Sequence, residues 1–139
     1  MGEGAKLSDS FIHLGLGATA VPQPPFDGFH WYEGYGARHG SDGAEGRLVS
    51  MYTFDGDWDS WEVHPHGAEV VLCTAGEMTL TQEYPNGRRE RVTIGAGEYA
   101  INPPGVWHTA DTGGTATAVF ITAGEGTEHR SRSEFPTDE

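Results

Sequence analysis

Glycine and proline interrupt this chain so often that no sustained helical period survives between them. With 21 glycines and 8 prolines in 139 residues, what lies between the breaks are short runs rich in β-branched and aromatic side chains, the pattern of strands joined by turns. The runs are RLVSMYTF (47–54), DSWEVH (59–64), EVVLCTA (69–75), EMTLTQEY (77–84), RRERVTI (88–94), EYAIN (98–102), VWHTA (106–110) and TATAVFITA (115–123). Between the fourth and fifth, Pro85, Asn86 and Gly87 suit a hairpin turn, because Asn and Gly tolerate the positive φ a tight turn demands. Strands this short and evenly spaced predict an all-β sandwich or barrel. At this length one domain is expected. Residues 45–123 form its barrel, 1–44 an irregular, aromatic segment packing on it, and 124–139 a polar, frayed tail.

Charge narrows the partners. The 8 basic and 21 acidic residues give a formal charge of -13, which repels phosphate backbones and anionic membrane surfaces, so neither nucleic acid nor membrane is expected. The single cysteine, Cys73, sits inside an apolar run, which leaves no disulfide framework and no thiolate metal cluster and fits a reducing cytoplasm. The opening MGEGAKLSDS lacks the basic and apolar blocks of a secretory leader, and no apolar run approaches membrane-spanning length.

The chemistry concentrates in WEVHPHGAEVVLCTAG, residues 61–76. On a strand, Glu62 and His64 share one face and Trp61 and Val63 the other. Taken alone, the pattern describes equally well an amphipathic strand that buries Trp61 and Val63 and turns Glu62 and His64 to water. The next strand is apolar on both faces, however, and Glu69 at its mouth shares a face with Val71 and Cys73, where a carboxylate requires a partner. Far downstream His108 shares its face with Val106 and Ala110, aiming an imidazole into apolar surroundings; a core histidine satisfied by a hydrogen bond presents the same pattern. His66 lies in the turn PHGA, as a solvated turn residue, a proton relay or a further ligand. Trp31, Tyr32, Tyr35 and Trp58 are core residues or the lining of a small-molecule pocket.

These residues carry a resemblance to the cupin family. GEYAINPPGVWHTADT resembles its second motif, with Gly97, Pro103, Gly105 and His108 at the family's spacing and Thr112 where the family has Asn. The first motif can be laid on the chain in two registers. Taking His64 and His66 as the family's histidine pair leaves the gap to Glu69 one residue short. Taking His64 as the second histidine fits Gly56, Glu62, His64, Glu69 and Gly76 throughout, with Glu62 standing where the family usually has its first histidine. We adopt the second register because it keeps every spacing and changes one residue type. The resemblance covers roughly residues 45–123.

What the resemblance implies is a jelly-roll barrel with a divalent metal near its mouth, held by Glu62, His64, Glu69 and His108. Such a mixed nitrogen and oxygen shell suits Fe, Mn, Ni, Co or Zn. It also implies a small organic substrate, with oxygenase-type or Lewis-acid isomerase, cyclase or lyase chemistry in which one of the carboxylates, Glu62 or Glu69, or His66 moves the proton. The alternative is a ligand- or metal-binding module without turnover. A homodimer is the expected assembly. Trp61 and Trp107, which alternate away from the ligands, are expected to be covered by the N-terminal segment or by a second chain. Arg38, His39 and the GTEHR piece after Glu125 carry no assignment and are left as surface.

Overall fold

The computed structural model describes residues 2–135, so the last four positions of the expected tail lie outside the described residues. In chain order the elements are β1 (Ile12–Gly15), β2 (Thr19–Pro22), α1 (Trp31–His39), a 3-10 segment (Gly40–Glu45), β3 (Arg47–Phe54), β4 (Ser60–Val63), β5 (Glu69–Ala75), β6 (Glu77–Glu83), β7 (Arg89–Gly95), β8 (Tyr99–Asn102), β9 (Trp107–Thr112), β10 (Ala116–Thr122) and β11 (Glu128–Ser131). Each run read from the sequence corresponds to one strand from β3 to β10.

All pairings are antiparallel, in two sheets ordered β2-β1-β3-β10-β5-β8 and β11-β4-β9-β6-β7. Alternation decides which side chains face the space between them. Glu69, Val71 and Cys73 of β5, His108, Ala110 and Thr112 of β9, and Ala116, Ala118 and Phe120 of β10 are all buried. The apolar members join Met78, Leu80, Ile94 and Ala100 in one core, where each large buried side chain contributes about 1.5–3 kcal/mol. This is the jelly-roll arrangement expected. The turn from β5 to β6 needs its glycine: Gly76 has φ 73°, and a Cβ there would lie 2.3 Å from the Thr115 carbonyl oxygen.

The first 44 residues carry more regular structure than expected. The β1–β2 hairpin extends the larger sheet through pairing of β1 with β3, and α1 lies against it. Phe11, Trp31 and Leu48 form a second cluster, flanked by Phe26, Tyr35 and Tyr52, and the Tyr32 and Tyr52 hydroxyls are hydrogen-bonded to each other. These elements escaped the sequence reading for a physical reason. The two strands span four residues each, and α1 contains Gly34 and Gly36, so aromatic packing holds the helix where propensity does not.

The tail is not frayed over its described part. β11 pairs with β4 along its length, although EHRS offers no apolar side chain to announce a strand. Arg130 ties it down by donating to Glu83 Oε2 at 2.6 Å while its guanidinium lies 5.0 Å from the ring of Trp61 and 4.6 Å from that of Trp107. The Trp61 indole N–H donates to the Phe135 carbonyl at 2.6 Å. Trp61 is therefore covered by the C-terminal segment, and neither the N-terminal segment nor a second chain is needed to explain its burial. Among the described residues no helix is long and apolar enough to cross a membrane.

Candidate metal centre

The strand register lines up two facing rows of polar side chains at one end of the core. On the smaller sheet His129 of β11 pairs with Glu62 of β4, Glu62 with His108 of β9, and His108 with Gln82 of β6. On the larger sheet Glu69 of β5 pairs with Asn102 of β8. His64, two residues beyond Glu62, keeps the same face. One ligand-type atom from each of Glu62, His64, Glu69 and His108 lies within 4.8 Å of all the others.

The contacts are close and mutual. His64 Nε2 is 3.2 Å from Glu62 Oε1 and 3.2 Å from Glu69 Oε2. His108 Nε2 is 3.2 Å from Glu69 Oε1 and 3.5 Å from Glu62 Oε1. His64, Glu69 and His108 are buried, whereas the Glu62 side chain keeps 26% of its surface exposed, on the side of the rim.

Glu69 is held on both oxygens. Asn102 Nδ2 donates to Oε1 at 3.0 Å, and the Thr122 hydroxyl donates to Oε2 at 2.6 Å. Gln82 Nε2 in turn donates to Asn102 Oδ1 at 2.9 Å and to the Ile101 carbonyl at 2.8 Å, which joins the two sheets. His64 is oriented from the other side. The Thr127 hydroxyl donates its only proton to the Gly124 carbonyl at 2.9 Å, so toward His64 Nδ1, 2.8 Å away, it accepts. His64 therefore keeps a proton on Nδ1 and turns Nε2 toward the carboxylates. His108 likewise directs Nδ1 to the Val106 carbonyl at 3.5 Å.

Electrostatics follow from this packing. Burial alone would push both carboxyls up and both imidazoles down, but their mutual hydrogen bonds outweigh it. Glu69 is held at about 2 and Glu62 lower still, while His64 and His108 are raised to about 9. The buried carboxylate of Glu69 and the rim carboxylate of Glu62 thus demand two positive charges from what faces them. Protons on the two imidazoles meet that demand in the metal-free chain; a single divalent cation supplies the same charge and releases those protons.

The donor set passes the test for such an ion. The Nε2 atoms of His64 and His108 are buried and face the carboxylates without a hydrogen bond of good geometry to any group. Their 3.2–3.5 Å spacing from the carboxylate oxygens matches the edge of a shell with bonds of about 2.1 Å, roughly 3.0 Å for octahedral and 3.4 Å for tetrahedral geometry. The second grouping of potential ligands fails the same test. His13 gives Nδ1 to the Tyr35 hydroxyl at 2.6 Å and Nε2 to Asp42 at 2.7 Å, and His39, stacked on His13 with ring centroids 4.0 Å apart, accepts from Gln23 at 2.9 Å. Those groups are already paired with one another, and they pin β1 to α1 and the 3-10 segment.

His66 stands outside the cluster. It is exposed, with Nδ1 3.1 Å from Glu125 Oε1. The residues that sequence reasoning passed over are Gln82, Asn102, Thr122, Thr127 and His129, whose Nε2 lies 3.0 Å from Glu62 Oε2. Thr127 and His129 did carry a signal: they alternate as Glu62 and His64 do, within the unassigned GTEHR.

A family model described as Cupin domain matches residues 51–124. No curated protein matches the chain. Among solved structures, oxalate decarboxylase from Bacillus subtilis is 14% identical, with a TM-score of 0.56, covering 72% of this chain and 27% of that one. Hydroquinone 1,2-dioxygenase from Sphingomonas sp. TTNP3 is 17% identical, TM-score 0.49, covering 55% of this chain and 59% of that one. A cupin-2 domain containing protein from Shewanella frigidimarina is 22% identical, TM-score 0.44, covering 55% and 69%. The chain thus spans well under a third of the decarboxylase's length and under two thirds of the dioxygenase's, and at these identities the likeness is one of fold. With a domain model covering more than half of its residues, and two antiparallel sheets closing on the side chains of both motifs, this chain belongs to the cupin family.

Proposed function

We propose that the chain binds one divalent metal ion through Glu62, His64, Glu69 and His108 and acts on a small organic molecule beside it. The observation that carries the reading is the pair of buried Nε2 atoms, without a well-formed hydrogen bond, that face the buried Glu69 carboxylate and the Glu62 carboxylate at the rim. Bound there, such an ion supplies Lewis acidity toward a substrate oxygen or, with a redox-active metal, oxygenase-type chemistry. Oxalate decarboxylase from B. subtilis, similar in fold, has Mn(II) centres; the donor set here accommodates Fe, Mn, Ni, Co or Zn.

The chain's own residues divide the work. His64 and His108 present neutral nitrogen donors. Glu69, locked by Asn102 and Thr122, serves as a fixed ligand rather than a mobile base. Glu62 is the ligand nearest solvent, at the rim, with its Oε2 engaged by His129 Nε2 at 3.0 Å. His66, drawn to Glu125, takes no part in this proposal. An apolar wall of Tyr52, Phe54, Trp58 and Phe120 adjoins the cluster, with Trp58 6.2 Å from His108 between ring centroids and its indole N–H buried without a partner. That wall favours a substrate with an apolar body and an oxygen function for the ion.

A homodimer belongs to the same proposal. On the outward face of the larger sheet the register sets Val49, Ile121, Val70 and Ile101 side by side, and next to them Met51, Val119, Leu72 and Tyr99. Ile101 and Tyr99 are 50% and 63% exposed. In a chain of net charge -13, an apolar strip free of charged side chains meets its own copy without repulsion.

The test is Co(II) loading followed by visible spectroscopy. Bands that shift on adding a member of a panel of phenols, enediols and keto acids, and turnover of that compound with a native metal, support the reading. Bands that no compound perturbs leave a metal-binding module without a substrate.

A further inference from the structure

We infer that β11, which lies beyond the segment matched by the family model, completes the metal centre, with Thr127 and His129 as positioning residues for His64 and Glu62. The inference rests on the proposed metal site, but it comes from a different part of the molecule. The family match ends at residue 124. The two side chains in question follow it, Thr127 immediately before β11 and His129 on that strand, which pairs with β4 so that His129 sits directly across from Glu62.

Each does something the matched segment does not. A free imidazole is indifferent to which nitrogen carries the proton, within a small preference, and only a deprotonated Nε2 can bind a cation in this site. The Thr127 hydroxyl removes the choice. Its proton is committed to Gly124, so its lone pair holds the N–H of His64 Nδ1 and leaves Nε2 free on the cluster side. His129 acts on the carboxylate that is least restrained. Glu69 has a donor on each oxygen, whereas Glu62 has neither Asn102 nor Thr122 within its reach; its Oε2 is engaged by His129 Nε2 at 3.0 Å, and that contact turns Oε1 toward His64 and His108. Glu62 stands where the family usually has a histidine. A carboxylate in that position has an extra rotatable bond and a second oxygen, and an external donor on that oxygen is what makes it a directed ligand.

The experiment uses the full chain and its Thr127→Val, Thr127→Ser, His129→Ala and His129→Gln variants. Three quantities are read: Zn(II) affinity by calorimetry, melting temperature of the metal-free protein, and the His64 tautomer from long-range 15N–1H correlation at pH 10, assigned by comparison with His64→Gln. Expected are a loss of Zn(II) affinity of tenfold or more in Thr127→Val and His129→Ala, recovery in the Ser and Gln variants, metal-free melting temperatures close to wild type, and movement of the His64 proton to Nε2 in Thr127→Val alone among the four. Variants that bind Zn(II) as tightly as wild type, with the proton still on Nδ1, overturn the inference and leave the metal site standing. A wild-type chain that binds no metal overturns the metal reading instead; the positioning role of Thr127 is then decided by the tautomer alone, and a proton unmoved in Thr127→Val sinks it.

Discussion

Removing the metal should leave a protein whose stability falls as the solution becomes more alkaline, through the range where most proteins are indifferent to pH. In the metal-free chain the charge demanded by Glu62 and Glu69 is met by protons on His64 and His108, whose pKa values rise from 6.5 to about 9. A group raised in the folded state stabilises fully below its unfolded value, and that stability drains away as pH climbs to the folded value. For one imidazole the interval corresponds to about 3 kcal/mol. In a domain of this size that is a fall in melting temperature of about 10 °C between pH 6.5 and 9. The measurement is a series of thermal melts at fixed ionic strength, with chelator and with saturating Zn(II). The metal-loaded series should be much flatter, since Nε2 then carries no proton, and a His64→Gln, His108→Gln double variant should lose the slope with or without metal. A metal-free wild-type chain whose melting temperature stays level or rises over that range would refute the electrostatic account of the cluster.

Other expectations follow from particular contacts. Asn102→Ala removes the donor on Glu69 Oε1 and the acceptor for Gln82, and should cost about 1–3 kcal/mol in denaturant unfolding together with a measurable loss of metal affinity. Glu83→Gln weakens the hold of Glu83 on Arg130 of the tail and on Arg89 of β7, so Trp61 fluorescence should shift to the red. Burial pushes the Glu83 carboxyl up, but hydrogen bonds from the two arginines outweigh it and hold it below the ordinary range; the tail contact is therefore present above that range and lost as pH falls through the depressed value. Ile101→Asp, in the middle of the outward apolar strip, should yield a monomer by light scattering, against a dimer for wild type.

Much of this molecule could be read before its structure was known, because period-two alternation carries far more information than residue identity. It set Glu62 and His64 on one face, Glu69 with Val71 and Cys73, and His108 with Ala110, and these are the faces the two sheets turn toward each other. What stayed illegible depended on pairing between distant segments. The strand EHRS has no apolar stripe to mark it; it exists because β4 offers an edge and because Arg130 finds Glu83 across the sheet, 47 positions away in sequence. Thr127 and His129 became visible as site residues only with that pairing. Asn102 and Gln82 were hidden for a similar reason, as polar residues on strands whose partners the local sequence does not name. The N-terminal hairpin and α1 are held by Phe11, Phe26, Trp31 and Tyr52, an aromatic cluster assembled across 41 positions of chain that leaves no periodic trace.

The central claim is that Glu62, not His66, joins His64, Glu69 and His108 around one ion. The most direct measurement is elemental metal content and metal affinity of tag-free protein purified without chelator, compared with Glu62→Ala, His64→Ala, His66→Ala and His108→Ala. The account predicts close to one metal per chain in wild type and in His66→Ala, and a large loss in the other three. Metal retained in Glu62→Ala but lost in His66→Ala, or no metal in any sample after reconstitution with Fe, Mn, Ni, Co and Zn, contradicts it.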